Sequence, residues 1–347
     1  MKPLTSKGGR DGSEYKINMF DLKCKTDRIL KNNKSDKFEK RMIVLMIAIL
    51  FITFTFITLI FTGCNEFVVQ KNTSGKECED HNSKEKQKNQ DALRNQKKSV
   101  DKKDYCVLIG AGEKELKKCK GYKLLVVDAE RLSNKSMDIL KKNNGKVYSY
   151  LNLGSIESFR SDFREFKGIA LGKYENWEEE LWIDVSKNSW REHLLLKARE
   201  LKNKGIDGFF VDNTDVYSVY PREEIYKGVL ESLKNIKTLN LPIVVNGGDT
   251  FMSRAARKDH IENIVYGINQ ECVFSSIDFS KNKIYKSDDE TKKFFKDYME
   301  NMKQKGIKIF ILEYGRDKKI NAEVKAYCNN KKIQYAMSPY IELNKIY

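Results

Sequence analysis

The sequence predicts an α/β fold, a (β/α)₈ TIM barrel, for residues 105–347, and three observations carry this prediction. Short runs rich in β-branched and aromatic residues recur eight times over about 240 residues, as in an eight-stranded barrel. Segments with apolar residues at helical spacing separate most of these runs, so strands alternate with helices. The run Phe209–Val211 is apolar throughout and then ends in Asp212, as a buried parallel strand does at a barrel mouth.

The predicted strands lie between turn-forming residues. They are Tyr105–Ile109, Lys123–Val127, Lys146–Leu151, Gly208–Val211, Pro242–Val245, Ile264–Ile268, Ile307–Leu312 and Gln334–Met337. Predicted helices between them include Trp190–Lys204, Glu223–Leu239 and Asp289–Lys305. An open doubly wound sheet is the alternative, but no GxGxxG motif follows a strand, so nothing favours a dinucleotide site.

The apolar run 42–62 contains no charged residue and is long enough, at roughly 20 residues, to span a bilayer as a helix. Lys37, Lys40 and Arg41 precede it directly, at the end of a basic tail, residues 1–41. The positive-inside rule therefore predicts a cytoplasmic N-terminus, a single-pass signal anchor in the cell membrane and an extracellular C-terminal part. A cleaved signal peptide fits less well, because its charged region is normally short.

Residues 63–104 are rich in Lys, Asn, Gln, Glu, Asp and Ser and are predicted to form a polar extracytoplasmic linker, because they cannot bury a core. The segment Phe61–Cys64 resembles the lipobox at which bacterial lipoproteins are lipidated, so a lipoprotein modified at Cys64 stays open. Either interpretation tethers the C-terminal domain to the outer face of a membrane.

Composition excludes several classes of function. The net charge is +16, but the surplus in the C-terminal domain is spread along helices without a basic-aromatic stripe, so nucleic acid is not a predicted partner. Seven cysteines and three histidines show no zinc-type spacing, so we predict no metal and no cofactor. Buried thiols are the expected state of the cysteines, although Cys106 could pair with Cys119 or Cys328 outside the cell.

Polar and aromatic side chains follow the predicted strands, where the carboxyl ends meet at one mouth. They are Asp128 and Glu130 after the second strand, Tyr150, Asn152 and Glu157 at the third, Asp212, Asn213 and Asp215 after the fourth, Asn246 after the fifth, Asn269, Gln270 and Glu271 after the sixth, and Glu313 and Tyr314 after the seventh. Carboxylates and amides bind hydroxyls and amines, and aromatic faces stack on sugar rings, so a saccharide fits this mouth better than a phosphate does. Alternatively, Asp212 and Asp215 are only turn and N-cap residues of a βα loop.

Four segments resemble the successive motifs of glycoside hydrolase family 114. They are Tyr150–Glu157 with Arg160, Trp182–Val185, Gly208–Tyr217 with its DN-x-D-x-Y sequence, and Asn269–Cys272. The resemblance covers residues 105–347. It implies a TIM barrel that hydrolyses α-1,4-linked, galactosamine-containing polysaccharide, as the endo-α-1,4-polygalactosaminidases do.

Carried over by this resemblance, the catalytic pair falls on Asp212 and Glu271. Many fungal relatives have Glu directly after Asn, whereas Gln270 intervenes here, so Glu313 is held in reserve. Glycosidic cleavage needs one carboxyl to protonate the leaving oxygen and another to attack or to activate water. We predict Asp212 as nucleophile or base and Glu271 as acid; reversed roles and the retaining or inverting outcome stay open.

The other predicted site residues would bind substrate around this pair. They are Asp128, Tyr150, Glu157, Asn213, Asp215, Tyr217, Asn246 and Glu313. Glu178–Glu180 is predicted to be a solvated loop, and the three tryptophans form either a sugar platform or part of the barrel flank. The alternative function is a catalytically inactive, cell-surface carbohydrate-binding barrel. A polysaccharide deacetylase is a weaker third, because it usually needs a histidine-containing metal site.

Overall fold

The computed structural model describes residues 103–175 and 177–347. Its strands are β1 (Lys103–Leu108), β2 (Tyr122–Val127), β3 (Lys146–Asn152), β4 (Ser155–Glu157), β5 (Ala170–Lys173), β6 (Glu180–Ile183), β7 (Gly208–Asp212), β8 (Ile243–Asn246), β9 (Gly267–Glu271), β10 (Ser275–Asp278), β11 (Lys283–Lys286), β12 (Lys308–Tyr314) and β13 (Gln334–Ser338). The α-helices are α1 (Glu113–Leu116), α2 (Asn134–Asn143), α3 (Phe163–Phe166), α4 (Asn188–Asn203), α5 (Val216–Val219), α6 (Glu223–Lys237), α7 (Asp249–Arg257), α8 (Asp289–Gln304) and α9 (Lys318–Lys331).

An 8-stranded sheet in the order β1-β2-β3-β7-β8-β9-β12-β13 forms the centre of the fold, and its paired strands are parallel. These strands follow one another in chain order with helical connections, which is the topology of a TIM barrel. The predicted fold class is therefore confirmed for this part of the chain. Each predicted run overlaps one strand of the sheet.

The ring is nearly closed, because β13 lies beside β1. Side chains make the bonds that cross this seam. The Gln334 side chain donates to the Asp104 carbonyl at 3.2 Å, while the Tyr347 phenol accepts from the Val107 N–H at 3.3 Å and donates to the Val107 carbonyl at 3.4 Å.

Barrel strands bury both of their faces, which explains why their sequences are apolar without alternation. Phe210 belongs to an inner cluster with Tyr105, Val107 and Phe310, whereas neighbouring Phe209 packs in the larger layer beneath the helices. Because successive side chains point to opposite faces, Phe210 inside the barrel also places Asp212 inside, at the mouth.

The sixth barrel strand differs from its prediction. It was expected over Ile264–Ile268, but β9 runs from Gly267 to Glu271. Ile264 and Val265 instead form a turn whose amides bond to the Ile261 carbonyl, and Val265 is apolar because it is buried there. The strand therefore includes the polar residues that were expected to follow it.

Two small β units extend the connections at the mouth. A 3-stranded antiparallel sheet, in the order β4-β6-β5, lies between β3 and β7, and the hairpin β10–β11 follows β9. Trp182 and Trp190 are buried, whereas Trp177 is exposed between β5 and β6. Two of the three tryptophans are therefore core residues.

The predicted tail, residues 1–41, the predicted transmembrane helix, residues 42–62, and nearly all of the predicted linker lie outside the described residues. Within the described ranges no helix is long and apolar enough to cross a membrane. Cys106, Cys119 and Cys328 are buried thiols.

Candidate active site

Asp212 and Glu271, the predicted catalytic pair, face each other at the mouth. Asp212 ends β7, Glu271 ends β9, and Asn246 ends the strand between them. The Asn246 side-chain nitrogen donates to Asp212 Oδ1 at 2.9 Å and to Glu271 Oε1 at 2.8 Å. Because both bonds share one nitrogen, those oxygens lie at most about 5.7 Å apart, the sum of the two distances, which suits a glycosidase pair.

Each carboxylate has a second donor. The Asn213 backbone N–H donates to Asp212 Oδ1 at 2.9 Å, and the Tyr314 hydroxyl donates to Glu271 Oε2 at 2.7 Å. Gln270 turns the other way and donates to the Glu271 carbonyl at 3.0 Å. The intervening Gln270 therefore does not turn Glu271 away from the mouth.

Burial raises the pKa of both carboxyls above their ordinary values, and at Asp212 the charge of Glu271 adds to this effect. Burial, followed by the charge of Glu271, raises the pKa of Asp212 to about 7, although Asn246 and the Asn213 amide act in the opposite direction. Burial raises the pKa of Glu271 against the lowering effect of Tyr314 and Asn246. A pair of this kind can hold one carboxylate and one carboxylic acid at the same time, as acid–nucleophile chemistry requires.

Arg160 organises the carboxylates on the β2–β3 side of the mouth. Its guanidinium lies 2.9 Å from Asp128, 3.1 Å from Glu130 and 3.2 Å from Glu157. The Tyr150 hydroxyl donates to Glu157 at 3.4 Å. The predicted substrate-binding residues Asp128, Tyr150 and Glu157 therefore form one buried group, in which Arg160 offsets the negative charge.

Glu180 lies at the mouth, although a solvated loop was predicted for Glu178–Glu180. Glu178 and Glu179 are exposed, as predicted, but Glu180 begins β6, and its carboxylate accepts from the Ser155 hydroxyl at 2.9 Å. Burial, with the charges of Glu157 and Asp212, raises the pKa of Glu180 to about 8. The signal in the sequence was the strand-like run that starts at Glu180, which predicts a strand residue and not a solvated loop residue at this position.

Asn213 connects the segments that follow β3 and β7. Its backbone is left-handed, with φ 62°, a conformation that Asn tolerates better than most residues. Its side-chain nitrogen donates to Asn152 at 3.0 Å and to Ser155 at 2.8 Å, and its oxygen accepts from the Tyr174 hydroxyl at 3.3 Å. A side chain at Gly154 would collide with the Asn213 carbonyl. The Asn213 amide is thus engaged within the protein, and substrate binding by it stays a prediction.

Asp215 joins the loops that follow β7 and β8. Its two oxygens accept from the Gly248 N–H at 3.2 and 3.1 Å. Burial, together with the charges of Asp249 and Asp212, raises the pKa of Asp215 to about 7. Asp215 therefore adds an acidic group near the pair, while its direct contacts are to the backbone.

Tyr217 lies in the layer outside the barrel, apart from the other predicted site residues. Its ring packs edge-on against Tyr226 and Phe251, and its hydroxyl accepts from Arg254 at 2.6 Å. The prediction that Tyr217 contacts substrate is not supported by this position, because the short helix α5 carries its side chain into the core.

Glu313 also points out of the barrel, because Leu312 and Tyr314 on the same strand occupy the interior. Its carboxylate accepts from the Val273 and Phe274 amides at 2.7 and 2.9 Å, and from the Ser275 amide at 2.8 Å. Glu313 therefore holds the turn after β9 and does not line the mouth, which corrects its predicted substrate-binding role and removes it as reserve acid.

A nearly closed ring of parallel strands, with two facing carboxyls at the carboxyl ends of its fourth and sixth strands, defines a TIM barrel of the glycoside hydrolase kind. The chain belongs to the glycoside-hydrolase family GH114, whose sequence profile matches residues 84–345.

Solved structures agree with this fold. The glycoside hydrolase domain of PelA from Pseudomonas aeruginosa superposes with a TM-score of 0.56 at 18% identity, over 70% of this chain and 96% of that one. Ega3 from Aspergillus fumigatus, solved in complex with galactosamine, gives a TM-score of 0.55 at 14% identity, over 70% and 93%. No curated protein is significantly similar to the chain in sequence.

Proposed function

We propose that the protein is a retaining endo-glycosidase of α-1,4-linked, galactosamine-containing polysaccharide, with Asp212 as nucleophile and Glu271 as acid and base. The observation that carries this proposal is the shared Asn246 donor, which bonds to both carboxylates. A separation of at most about 5.7 Å suits the ~5–5.5 Å of retaining pairs better than the ~6.5–9.5 Å of inverting pairs.

The reaction follows in two steps. The Asp212 carboxylate attacks the anomeric carbon while the protonated Glu271 gives its proton to the leaving oxygen, so a glycosyl ester forms and the glycosidic bond breaks. Glu271, now ionised, then takes a proton from water. The resulting hydroxide attacks the anomeric carbon, and Asp212 leaves as a carboxylate.

The two roles follow from the donors around each group. Asp212 accepts from the Asn213 backbone amide, a donor fixed by the chain, which stabilises the ionised form that a nucleophile needs. Glu271 is bonded only through side chains, Asn246 and Tyr314, and the Tyr314 hydroxyl can turn to accept from a protonated Glu271. Burial raises the pKa of both carboxyls, so the donors and not the pKa shifts separate the two roles. We therefore assign the acid to Glu271.

The charge of the mouth supports an amino-sugar substrate. Among the described residues Asp212, Asp215, Glu180 and Glu271 take part in no ion pair, whereas Arg160 is already held by three other carboxylates. A de-N-acetylated galactosamine polymer carries ammonium groups that would supply the missing positive charge. The galactosamine bound to Ega3 agrees with this choice.

The test compares cleavage of a de-N-acetylated galactosamine polymer, its N-acetylated form and a neutral glucan. We expect internal shortening of the first, at a rate at least about tenfold above that on the second, because an ion pair with an ammonium group is lost on acetylation. In Glu180→Gln this preference should fall severalfold, because an ammonium group bound beside Glu180 stabilises its ionised form against the burial that raises its pKa, and glutamine cannot make this ion pair. Chain length over time, measured by size-exclusion chromatography, gives both rates.

Asp212→Asn is the control for contaminating activity in this assay. Binding of the polymer without any shortening would favour the alternative of an inactive carbohydrate-binding barrel. Equal rates on the two galactosamine polymers, unchanged in Glu180→Gln, would contradict the proposed recognition of the amine while leaving the hydrolase assignment in place.

We further propose that residues 42–62 anchor the protein in the cell membrane, with residues 105–347 outside the cell. The support is the uncharged apolar run and the basic residues before it. Protease added to intact cells should remove an epitope placed after residue 347 and spare one in residues 1–41. Protection of the C-terminal epitope would contradict this orientation, and fatty-acid labelling lost in Cys64→Ala would identify a lipoprotein.

A further inference from the structure

A chain of three buried side chains leads to the amide that bridges the catalytic pair. The Tyr105 hydroxyl donates to Asn269 Oδ1 at 3.0 Å, and the Asn269 nitrogen donates to Asn246 Oδ1 at 2.7 Å. The Asn246 nitrogen then donates to Asp212 and Glu271. We infer that Tyr105 and Asn269 are positioning residues, which fix the direction in which the Asn246 amide faces.

The direction matters because a carboxamide has a donor end and an acceptor end of almost the same shape. If Asn246 were turned over, its carbonyl oxygen would face two carboxyls, and at least one of them is ionised in the proposed reaction. Repulsion between these oxygens would then replace two hydrogen bonds, and the Asn269 nitrogen would lose its acceptor.

The relay favours this direction whatever the protonation states of the two carboxyls, which favour it themselves when they are ionised. Asn269 is fully buried, and Tyr105 and Asn246 are 4% and 8% exposed, so bulk water cannot satisfy the reversed arrangement. Burial raises the pKa of Tyr105 well above its ordinary value, so its hydroxyl stays a donor. The ring of Tyr105 is itself held against Phe310, with centroids 5.2 Å apart. The donor-to-acceptor direction set by Tyr105 on β1 is thus passed through Asn269 on β9 to Asn246 on β8.

Other titratable groups also face the pair, and the variants chosen below leave all of them intact. They are Glu157, Glu180, Asp215, Tyr150, Tyr174, Cys272 and Tyr314. A change in the titration of Asp212 and Glu271 in Asn269→Leu, which adds no titratable group, therefore reports on the relay.

The first variant is Asn269→Leu, which keeps the branched shape of the side chain but leaves Asn246 without its donor. We expect kcat/KM on the galactosamine polymer to fall by about 10²-fold, comparable to loss of a preorganised donor at a reacting group, with little change in KM. The basic limb of the pH profile should move to higher pH, because Glu271 would lose its Asn246 donor and hold its proton more tightly. Tyr105→Phe, which removes only the first bond, should act in the same direction by about tenfold or less.

The second variant, Asn269→Asp, distinguishes the polarity of the relay from its packing. A protonated Asp at this position accepts from Tyr105 and donates to Asn246, so it can replace Asn; an ionised Asp cannot donate. The ratio of its activity to that of the wild type at the same pH should therefore approach one at low pH and fall as this carboxyl ionises, whereas the ratio for Asn269→Leu stays low throughout. Tyr148→Phe is the matched control, because Tyr148 is another buried phenol of the inner cluster but lies outside the relay.

This inference rests on the proposed function, so the experiment includes a readout that needs no activity. Carbon NMR titration of labelled Asp and Glu side chains should show higher pKa values for Asp212 and Glu271 in folded Asn269→Leu than in the wild type, and no change in Tyr148→Phe. Unchanged carboxyl titrations in folded Asn269→Leu would overturn the relay, whether or not the wild type cleaves the polymer. Shifted titrations in a protein that cleaves nothing would keep the relay and reject the hydrolase.

Discussion

Glu271→Gln is expected to lower kcat/KM on the galactosamine polymer by at least about 10³-fold, and Asp212→Asn by at least as much. Both substitutions keep side-chain size and one acceptor oxygen but remove the transferable proton or the attacking charge. General acid–base help alone contributes on the order of 10²–10⁴ in rate, and loss of the nucleophile removes the covalent step as well. Product formation by purified variants, measured at several pH values, gives the ratio directly.

Glu313→Gln is the matched control for Glu271→Gln. It makes the same change on the neighbouring strand, at a carboxylate that is 0% exposed but faces the helices. The new NH₂ group would oppose one of the backbone amides that Glu313 now binds, so stability should fall by about 1–3 kcal/mol. Activity of the folded protein should stay within a few-fold of the wild type. Activity that survived Glu271→Gln but was lost in Glu313→Gln would contradict the assignment of the acid.

The contrast between Glu271 and Glu313 shows where the sequence stops being informative. Both residues lie at the carboxyl end of a barrel strand. Parallel strands buried on both faces carry no alternation of polar and apolar residues, so the sequence does not mark which side chains point inward. In the structure, Phe310 and Leu312 belong to the inner cluster, which shows that the alternating side chain of Glu313 points outward.

The alternation of strands and helices along the chain was predictable because each barrel strand is a short run bounded by turn residues. The predicted sixth strand was displaced because Val265 is buried and Ile264 partly buried in a turn, and an apolar residue buried in a turn looks the same in the sequence as one buried in a strand. The pairing of Asp212 with Glu271 followed from the rule that mouth residues converge, together with the family resemblance. The prediction that Tyr217 contacts substrate is not supported, because a residue of the family motif can pack in the core instead of lining the mouth.

The structure also adds interactions that no spacing rule would supply. The Asn246 bridge joins strands whose residues are 34 and 25 positions apart, and the Tyr105–Asn269 bond spans 164 positions. Glu180 reaches Ser155 only because β4 and β6 pair. Such contacts depend on the relative placement of strands, which a single sequence does not encode in any local pattern.

Chemical rescue by azide is expected to separate the roles of the two carboxyls. In Asp212→Ala, azide can occupy the space of the lost carboxylate and attack the anomeric carbon of an activated α-galactosaminyl donor. A single displacement inverts the centre, so the product is the β-glycosyl azide. In Glu271→Ala the ester with Asp212 still forms from a leaving group that needs no proton, and azide then displaces it without a base. Two displacements give the α-glycosyl azide.

Proton NMR of the anomeric signals distinguishes these products, and the wild type supplies the reference, because a retaining enzyme first releases the α-anomer from an α-linked polymer. We expect azide to raise each variant's rate by about tenfold or more, since it replaces the group whose loss limits that variant. An exchange of the two azide products between the variants would reverse the assigned roles and make Glu271 the nucleophile. Release of the β-anomer by the wild type would reject the retaining mechanism, and the Asn246 bridge would then hold a resting pair that must separate to admit water.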